Sequence, residues 1–91
     1  MTTPKGSIPS IAVLSQACIE VCATASEALT SAEVDRLVKL RLAISESDAL
    51  IPHVQGKKRT ELAYRLAWAR SQATSEGRLA RSSDGLWQTK S

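Results

Sequence analysis

Positively charged side chains are the residues of this 91-residue sequence whose type and spacing point most directly to chemistry. Lys57, Lys58 and Arg59 are consecutive, and residues 57–91 carry eight Lys or Arg against three Asp or Glu. Residues 1–56 carry four bases against six acids, so the net charge of +3 is unevenly distributed. A basic segment on a small domain favours a polyanionic partner, and a solvated basic surface is the alternative.

Catalytic and metal-binding motifs are absent from the sequence. His53 has no nucleophile partner at a known spacing, and we expect it to be solvated; no Gly-x-Ser-x-Gly or glycine-rich phosphate motif occurs. Cys18 and Cys22 are spaced i, i+4, but no second Cys/His pair completes a metal site, so we expect two buried free thiols. We therefore predict a protein that is not an enzyme and needs no metal or cofactor.

Length and composition predict a single domain. The aromatic content is 3% with no Phe, which favours closely packed helices built from Leu, Ile, Val and Ala. Residues 1–8 are predicted to be a flexible tail because Pro4 and Gly6 oppose regular structure, and residues 9–91 are predicted to be the domain. No apolar run approaches the ~18 residues that cross a bilayer, and we expect a cytoplasmic protein without membrane contact.

Apolar spacing predicts three helices in the first part of the domain. The first opens at Pro9 and Ser10 and runs to about residue 26. The second follows Ser31, which is the predicted N-cap, and has acidic residues in its first turn. A short third helix spans residues 45–50 and is stopped by Pro52.

The strongest predicted helix covers about residues 58–75 and precedes a hairpin. Its core-facing stripe consists of Leu62, Leu66, Ala69 and Ala73. Gly77 is placed as the C-cap glycine, and Asp84-Gly85 predicts the turn of a hairpin over about residues 78–90. Helices followed directly by a hairpin are the layout of a winged helix-turn-helix, so the predicted fold is mainly α with a small β-hairpin.

The C-terminal third resembles the N-terminal winged-helix domain of Mrr-type restriction endonucleases. The resemblance lies in the run 56–70, in Gly77 and in the run 84–89. Matching positions are occupied by Arg65, Trp68, Ala69, Gly77, Gly85, Trp87 and Thr89. The family usually has Leu directly after the closing glycine, whereas here Arg78 intervenes before Leu79.

This resemblance implies a module that binds double-stranded DNA, including methylated or otherwise modified DNA, within a restriction or defence system. In the family the domain delivers a separate nuclease domain to its site, and that nuclease needs an Asp and a Glu/Gln-x-Lys arrangement to hold a divalent metal. We expect this chain not to provide that metal site. A nuclease domain in the same chain or in another chain is therefore the implied partner.

The predicted DNA-contacting surface combines the exposed face of the long helix with the hairpin. Lys57, Lys58 and Arg59 are expected at the start of the helix, where free N–H groups and cations together suit a phosphate. The candidate contacts are Lys57, Lys58, Arg59, Thr60, Glu61, Tyr64, Ser71, Arg78, Arg81, Ser82 and Ser83.

Several of the neighbouring residues have a structural alternative. Glu61 is expected to pair with Arg65 at i, i+4 rather than to accept from a cytosine amino group. Tyr64 is predicted either to contact DNA or to cover the hairpin. Trp68 and Trp87 are expected to pack against the rest of the fold, and Arg65 is expected to be a structural cation.

Two other functions fit the same fold. The apolar first helix and the acidic first half of the chain could form a homodimer or a protein-docking face, because fold does not fix function. A small transcriptional regulator that reads unmodified DNA as a dimer is the second alternative.

Overall fold

Four α-helices followed by a two-stranded antiparallel sheet make up the part of the chain described by the computed structural model, residues 8–54 and 56–89. The prediction of a mainly helical chain with a C-terminal hairpin is confirmed. The elements are α1 (Ile11–Thr24), α2 (Ser31–Arg41), α3 (Glu46–Ala49), α4 (Glu61–Ser75), β1 (Leu79–Arg81) and β2 (Trp87–Thr89). Within these residues no helix is long and apolar enough to span a bilayer.

The start of α2 is set by Thr30 and not by Ser31, so the predicted N-cap is wrong by one residue. The Thr30 hydroxyl accepts from the Glu33 N–H at 3.1 Å, and the Glu33 carboxylate accepts from the Thr30 N–H at 3.0 Å. This reciprocal capping box satisfies two N–H groups at the helix start. The Ser31 hydroxyl instead accepts from the indole N–H of Trp87 at 2.8 Å.

Helix α4 begins at Glu61, three residues later than predicted. The residues just before it pair with the preceding loop: the Glu61 N–H donates to the Ile51 carbonyl at 2.7 Å, and the His53 N–H donates to the Arg59 carbonyl at 2.9 Å. Thr60 is the N-cap and accepts from the Ala63 N–H. Because residues 59–61 pair with residues 51–53, the segment just before Glu61 is not helical, although helix periodicity alone assigned it to the helix.

The end of α4 confirms the role predicted for Gly77. This residue has a positive φ of 75°, which glycine adopts without steric cost. Its N–H donates to the Thr74 carbonyl at 3.0 Å, and the Arg78 N–H donates to the Ala73 carbonyl at 3.0 Å. These two bonds form a Schellman motif, which terminates the helix and turns the chain into β1.

The predicted hairpin is also present. Its turn contains Gly85 at a φ of 80°, and the Ser82 N–H donates to the Leu86 carbonyl at 2.8 Å. Strands β1 and β2 pair with Leu79 opposite Thr89. Of the predicted hairpin range, residue 90 lies outside the described residues.

A short extended segment between α1 and α2 lies beside β2, and sequence reasoning missed it. The Leu29 N–H donates to the Trp87 carbonyl at 2.9 Å, and the Trp87 N–H donates to the Leu29 carbonyl at 2.6 Å. The hairpin is therefore joined to the helices by main-chain hydrogen bonds as well as by side-chain packing.

The core lies between α1, α2, α4 and the hairpin. Its most deeply buried side chains are Leu14, Cys18, Val34, Val38, Leu66 and Leu79. The predicted α4 stripe is confirmed, because all four of its side chains are buried, and the small Ala69 and Ala73 let α1 approach closely.

Two further predictions concern buried residues. Ile8 is buried, so the predicted flexible tail is wrong at its last residue; residues 1–7 lie outside the described residues. Cys18 and Cys22 are buried free thiols, as predicted. Burial raises the pKa of Cys18 to about 12 and also raises the pKa of Cys22, so both thiols stay protonated near neutral pH.

Candidate functional site

The three consecutive cations lie together on the loop that leads into α4. Lys57, Lys58 and Arg59 are exposed, and none of them forms an ion pair with any residue in 8–54 or 56–89. The loop turns at Gly56, which has a φ of 85°, and the Lys57 N–H donates to the Val54 carbonyl at 3.0 Å. We call residues 56–60 the cationic loop. Its charges precede the helix, whereas the sequence placed them in the first helical turn.

Glu61 is a structural residue, which corrects its selection as a DNA contact. It is 5% exposed. One carboxylate oxygen lies 2.7 Å from His53 Nδ1, and the other accepts from Arg65 Nε at 2.6 Å. The expected i, i+4 pairing with Arg65 is thus confirmed. The expectation that His53 is solvated is wrong, because this ring is bound to Glu61.

Arg65 extends this contact to the beginning of the described chain. Its guanidinium donates to the Ile8 carbonyl at 2.9 Å and to the Pro9 carbonyl at 3.2 Å. The prediction of a structural cation is confirmed. Glu61 and Arg65 together therefore tie three segments to one another: the residues before α1, the loop at His53 and the first turn of α4.

Aromatic rings continue from the cationic loop along α4. The rings of His53 and Tyr64 stack with centroids 3.8 Å apart and an interplanar angle of 13°. The Arg59 guanidinium lies 5.6 Å from the Tyr64 centroid, within cation–π range. Tyr64 meets Trp68 edge to face at 6.4 Å. Tyr64 is half-buried, and the loop at His53 is what covers one of its faces.

Trp68 is 54% exposed, so the expectation that it packs under the hairpin is wrong. At 100° per residue, position 68 points roughly 130° away from the centre of the buried α4 stripe. The helical wheel therefore contained the signal that Trp68 is exposed. A shallow cavity of about 130 Å³ lies beside the ring and is lined by Ala67, Trp68 and Ser71. Ser71 is exposed, as a contact residue must be.

The hairpin residues divide into exposed and internally bonded groups. Arg81 and Ser83 are exposed, and the Arg81 guanidinium lies 5.1 Å from the Trp87 ring centroid. Arg78 is exposed but donates to the side-chain oxygen of Gln16 at 3.1 Å. The Ser82 hydroxyl accepts from the Leu86 N–H at 3.1 Å within the turn.

Trp87, in contrast, is buried at 6% exposure, which confirms that it packs onto the helices. Of the hairpin candidates, Arg81 lies against this core ring.

The candidate residues form two groups along the chain, one at the start of α4 and one after its end. The cationic loop and Tyr64 lie at its N-terminal end, and the hairpin follows its C-terminal end. Helix α4 has 15 residues, which gives a length of about 22 Å at 1.5 Å per residue. The exposed residues of α4 are Ala63, Trp68, Ser71, Gln72, Thr74 and Ser75.

A larger cavity of about 220 Å³ lies between α2, α3 and the start of α4. Its charged lining consists of Asp35, Arg36 and Lys39, and sequence reasoning did not select these residues. Asp35 forms an ion pair with Arg70. Burial raises the pKa of Asp35, and the neighbouring Arg70 opposes this shift. Among the described residues, no group of three or more His, Cys, Asp or Glu side chains converges as a metal site.

Comparisons with known proteins assign neither a family nor a function to this chain. No family model matches the chain, and neither curated proteins nor solved structures give a significant match. The function is therefore argued from the placement of the side chains described above.

Proposed function

We propose that this chain is a non-catalytic winged-helix domain that binds double-stranded DNA, with α4 as recognition helix and the hairpin as wing. The observation that carries the proposal is the cationic loop: Lys57, Lys58 and Arg59 are exposed at the entrance of α4 without partner carboxylates among the described residues. Unpaired cations on DNA gain affinity by releasing the counterions that surround phosphates.

The anchoring of the hairpin supports the winged-helix assignment. Main-chain bonds between Leu29 and Trp87 place the segment between α1 and α2 beside β2. A wing fixed in this way keeps Arg81 and Ser83 in a defined position relative to α4. Such preorganisation lowers the entropic cost of binding a long, rigid ligand.

The length of α4 suits a duplex. Helix α4 is about 22 Å long, and roughly six base pairs of DNA span the same distance at 3.4 Å per step. The cationic loop would then contact phosphates at one end of this span, while Ser71 and its exposed neighbours on α4 face the groove and the hairpin contacts the flanking backbone.

The resemblance to Mrr-type domains extends the proposal to a reader of methylated or otherwise modified DNA in a restriction or defence system, acting in the cytoplasm. The nuclease would then reside in another domain or another chain. Binding measured on methylated and unmodified duplexes of the same sequence tests this extension. Equal affinity for both would favour a regulator that reads unmodified DNA.

A charge-matched pair of variants tests the DNA-binding proposal. Replacing Lys57, Lys58 and Arg59 by Ala should abolish most binding of a fluorescent duplex without unfolding the domain. The control replaces three cations of α2, Arg36, Lys39 and Arg41, and should weaken binding much less. Wild-type affinity should fall with salt at a log–log slope of roughly −3 to −5, for about 4–5 phosphate contacts. Equal binding by the loop variant and the wild type would refute the assignment.

Protein association is the second candidate function. Leu40 and Leu50 are 67% and 69% exposed, and they would supply apolar contacts in such an interface. A homodimer seen by light scattering, together with no DNA binding at low salt, would favour this function over the first.

A further inference from the structure

We infer that the exposed indole of Trp68 stacks on an unpaired nucleobase, so that the chain binds DNA most tightly where a duplex carries a base outside the stack. The inference rests on the proposed DNA binding and assigns a substrate class to the same site. It starts from the arrangement of rings and cations at the N-terminal half of α4.

The rings of His53, Tyr64 and Trp68 form a continuous row, and the exposed end of this row is Trp68. His53 covers one face of Tyr64 at 3.8 Å, and the Arg59 guanidinium lies 5.6 Å from the same ring. Trp68 touches Tyr64 only edge to face at 6.4 Å and is 54% exposed. Because Trp87 is buried, Trp68 is the tryptophan that offers an aromatic surface to a ligand.

The neighbours of Trp68 identify the chemistry of that ligand. The cationic loop supplies positive charge for an anion. The Trp68 indole supplies a flat apolar surface, and the Tyr64 ring contacts both this indole and the Arg59 guanidinium. A nucleotide carries both complementary groups, a phosphate and a planar base, on one molecule. Base stacking on aromatic side chains is strong and tolerates any sequence, because every base has a π-face. The cavity beside Trp68 leaves room for the base, and the exposed Ser71 lines that cavity.

The same geometry selects an unpaired base over a paired one. In an intact duplex each base is already stacked on its neighbours. The Trp68 indole can therefore stack on a base only after that base has left the duplex stack. Removing a paired base costs free energy, and this cost is least for a base that has no partner. A bulge or a mismatch therefore exposes the surface that Trp68 needs, while the flanking duplex still supplies phosphates to the cationic loop.

The experiment compares a short fluorescent duplex with the same duplex carrying one unpaired adenine at its centre, titrated with the full chain. We expect the wild type to bind the bulged duplex roughly 5- to 150-fold more tightly, the range that one stacked base contributes. Trp68→Leu keeps apolar bulk but removes the aromatic face, and it should bind both duplexes equally. Trp68→Phe should retain part of the preference. Leu50→Ala, at another exposed apolar residue, should leave the preference unchanged.

The outcomes separate this inference from the proposal beneath it. Equal binding of both duplexes by the wild type, or a preference that persists in Trp68→Leu, overturns the stacking role and leaves duplex binding in place. Absence of binding to either duplex overturns the proposed function as well. A wild-type dimer that Trp68→Leu dissociates would show that the indole covers a second copy of the chain, which also overturns the inference.

Discussion

Replacing Glu61 by Gln tests whether one buried carboxylate stabilises the start of α4. Glu61 is 5% exposed and holds both Arg65 and His53, so the substitution keeps the shape of the side chain and removes its charge. Removing one partner of a buried ion pair lowers the free energy of unfolding by about 3–5 kcal/mol. Arg65 keeps its bonds to two backbone carbonyls and has a 21% exposed side chain, which reduces the expected loss to about 2–4 kcal/mol.

This loss is large for a domain of this size, whose free energy of unfolding is about 5–14 kcal/mol. Urea unfolding followed by circular dichroism should show a midpoint lowered by about 1–2 M. The matched control is Glu20→Gln, which makes the same change in the exposed pair with Arg41 and should shift the midpoint little.

A double-mutant cycle identifies the cause. If Glu61 acts through Arg65, the variant Glu61→Gln with Arg65→Gln should be less destabilised than the sum of the two single changes. An additive cycle, or a Glu61→Gln chain as stable as the wild type, would refute the idea that this pair fixes the start of α4.

Two further predictions concern helices α1 and α2. The buried Ser15 hydroxyl has no hydrogen-bond partner among the described residues. Replacing Ser15 by Ala should therefore raise the free energy of unfolding by up to about 2 kcal/mol. A lower melting temperature of the Ser15→Ala variant in thermal unfolding would contradict this. Hydrogen bonds from the Thr30 backbone N–H and hydroxyl lower the pKa of Glu33 below 4.5. The Glu33 carboxylate therefore stabilises the folded state fully above pH 4.5, and this stabilisation is lost as the pH falls through the lowered pKa of the folded state. The difference in the free energy of unfolding between the wild type and Glu33→Gln should disappear in acid.

Local signals were sufficient to predict most of the fold. Apolar spacing located the buried stripe of α4, Gly77 marked the end of that helix, and Asp84-Gly85 marked the hairpin turn. Each of these features depends on residues within one or two turns of chain. Sequence reasoning therefore worked where the interactions are local.

The errors arose from contacts between distant segments. The start of α4 moved to Glu61 because residues 51–53 pair with residues 59–61, which no helical periodicity can reveal. His53 was expected to be solvated because its partner, Glu61, lies eight residues away in another element. Trp68 is different, since the helical wheel already placed it off the buried face and only the preference of large rings for burial suggested otherwise.

Trp87 makes the end of the described chain part of the cooperative folding unit. Its backbone pairs with Leu29, its indole N–H is held by Ser31, and its ring lies near the guanidinium groups of Arg70 and Arg81. Opening the hairpin would break all of these contacts at once and expose an indole from the core. The amide hydrogens of this short sheet should therefore exchange with solvent mainly through global unfolding, unlike those of an ordinary peripheral ribbon, which exchange through local fraying.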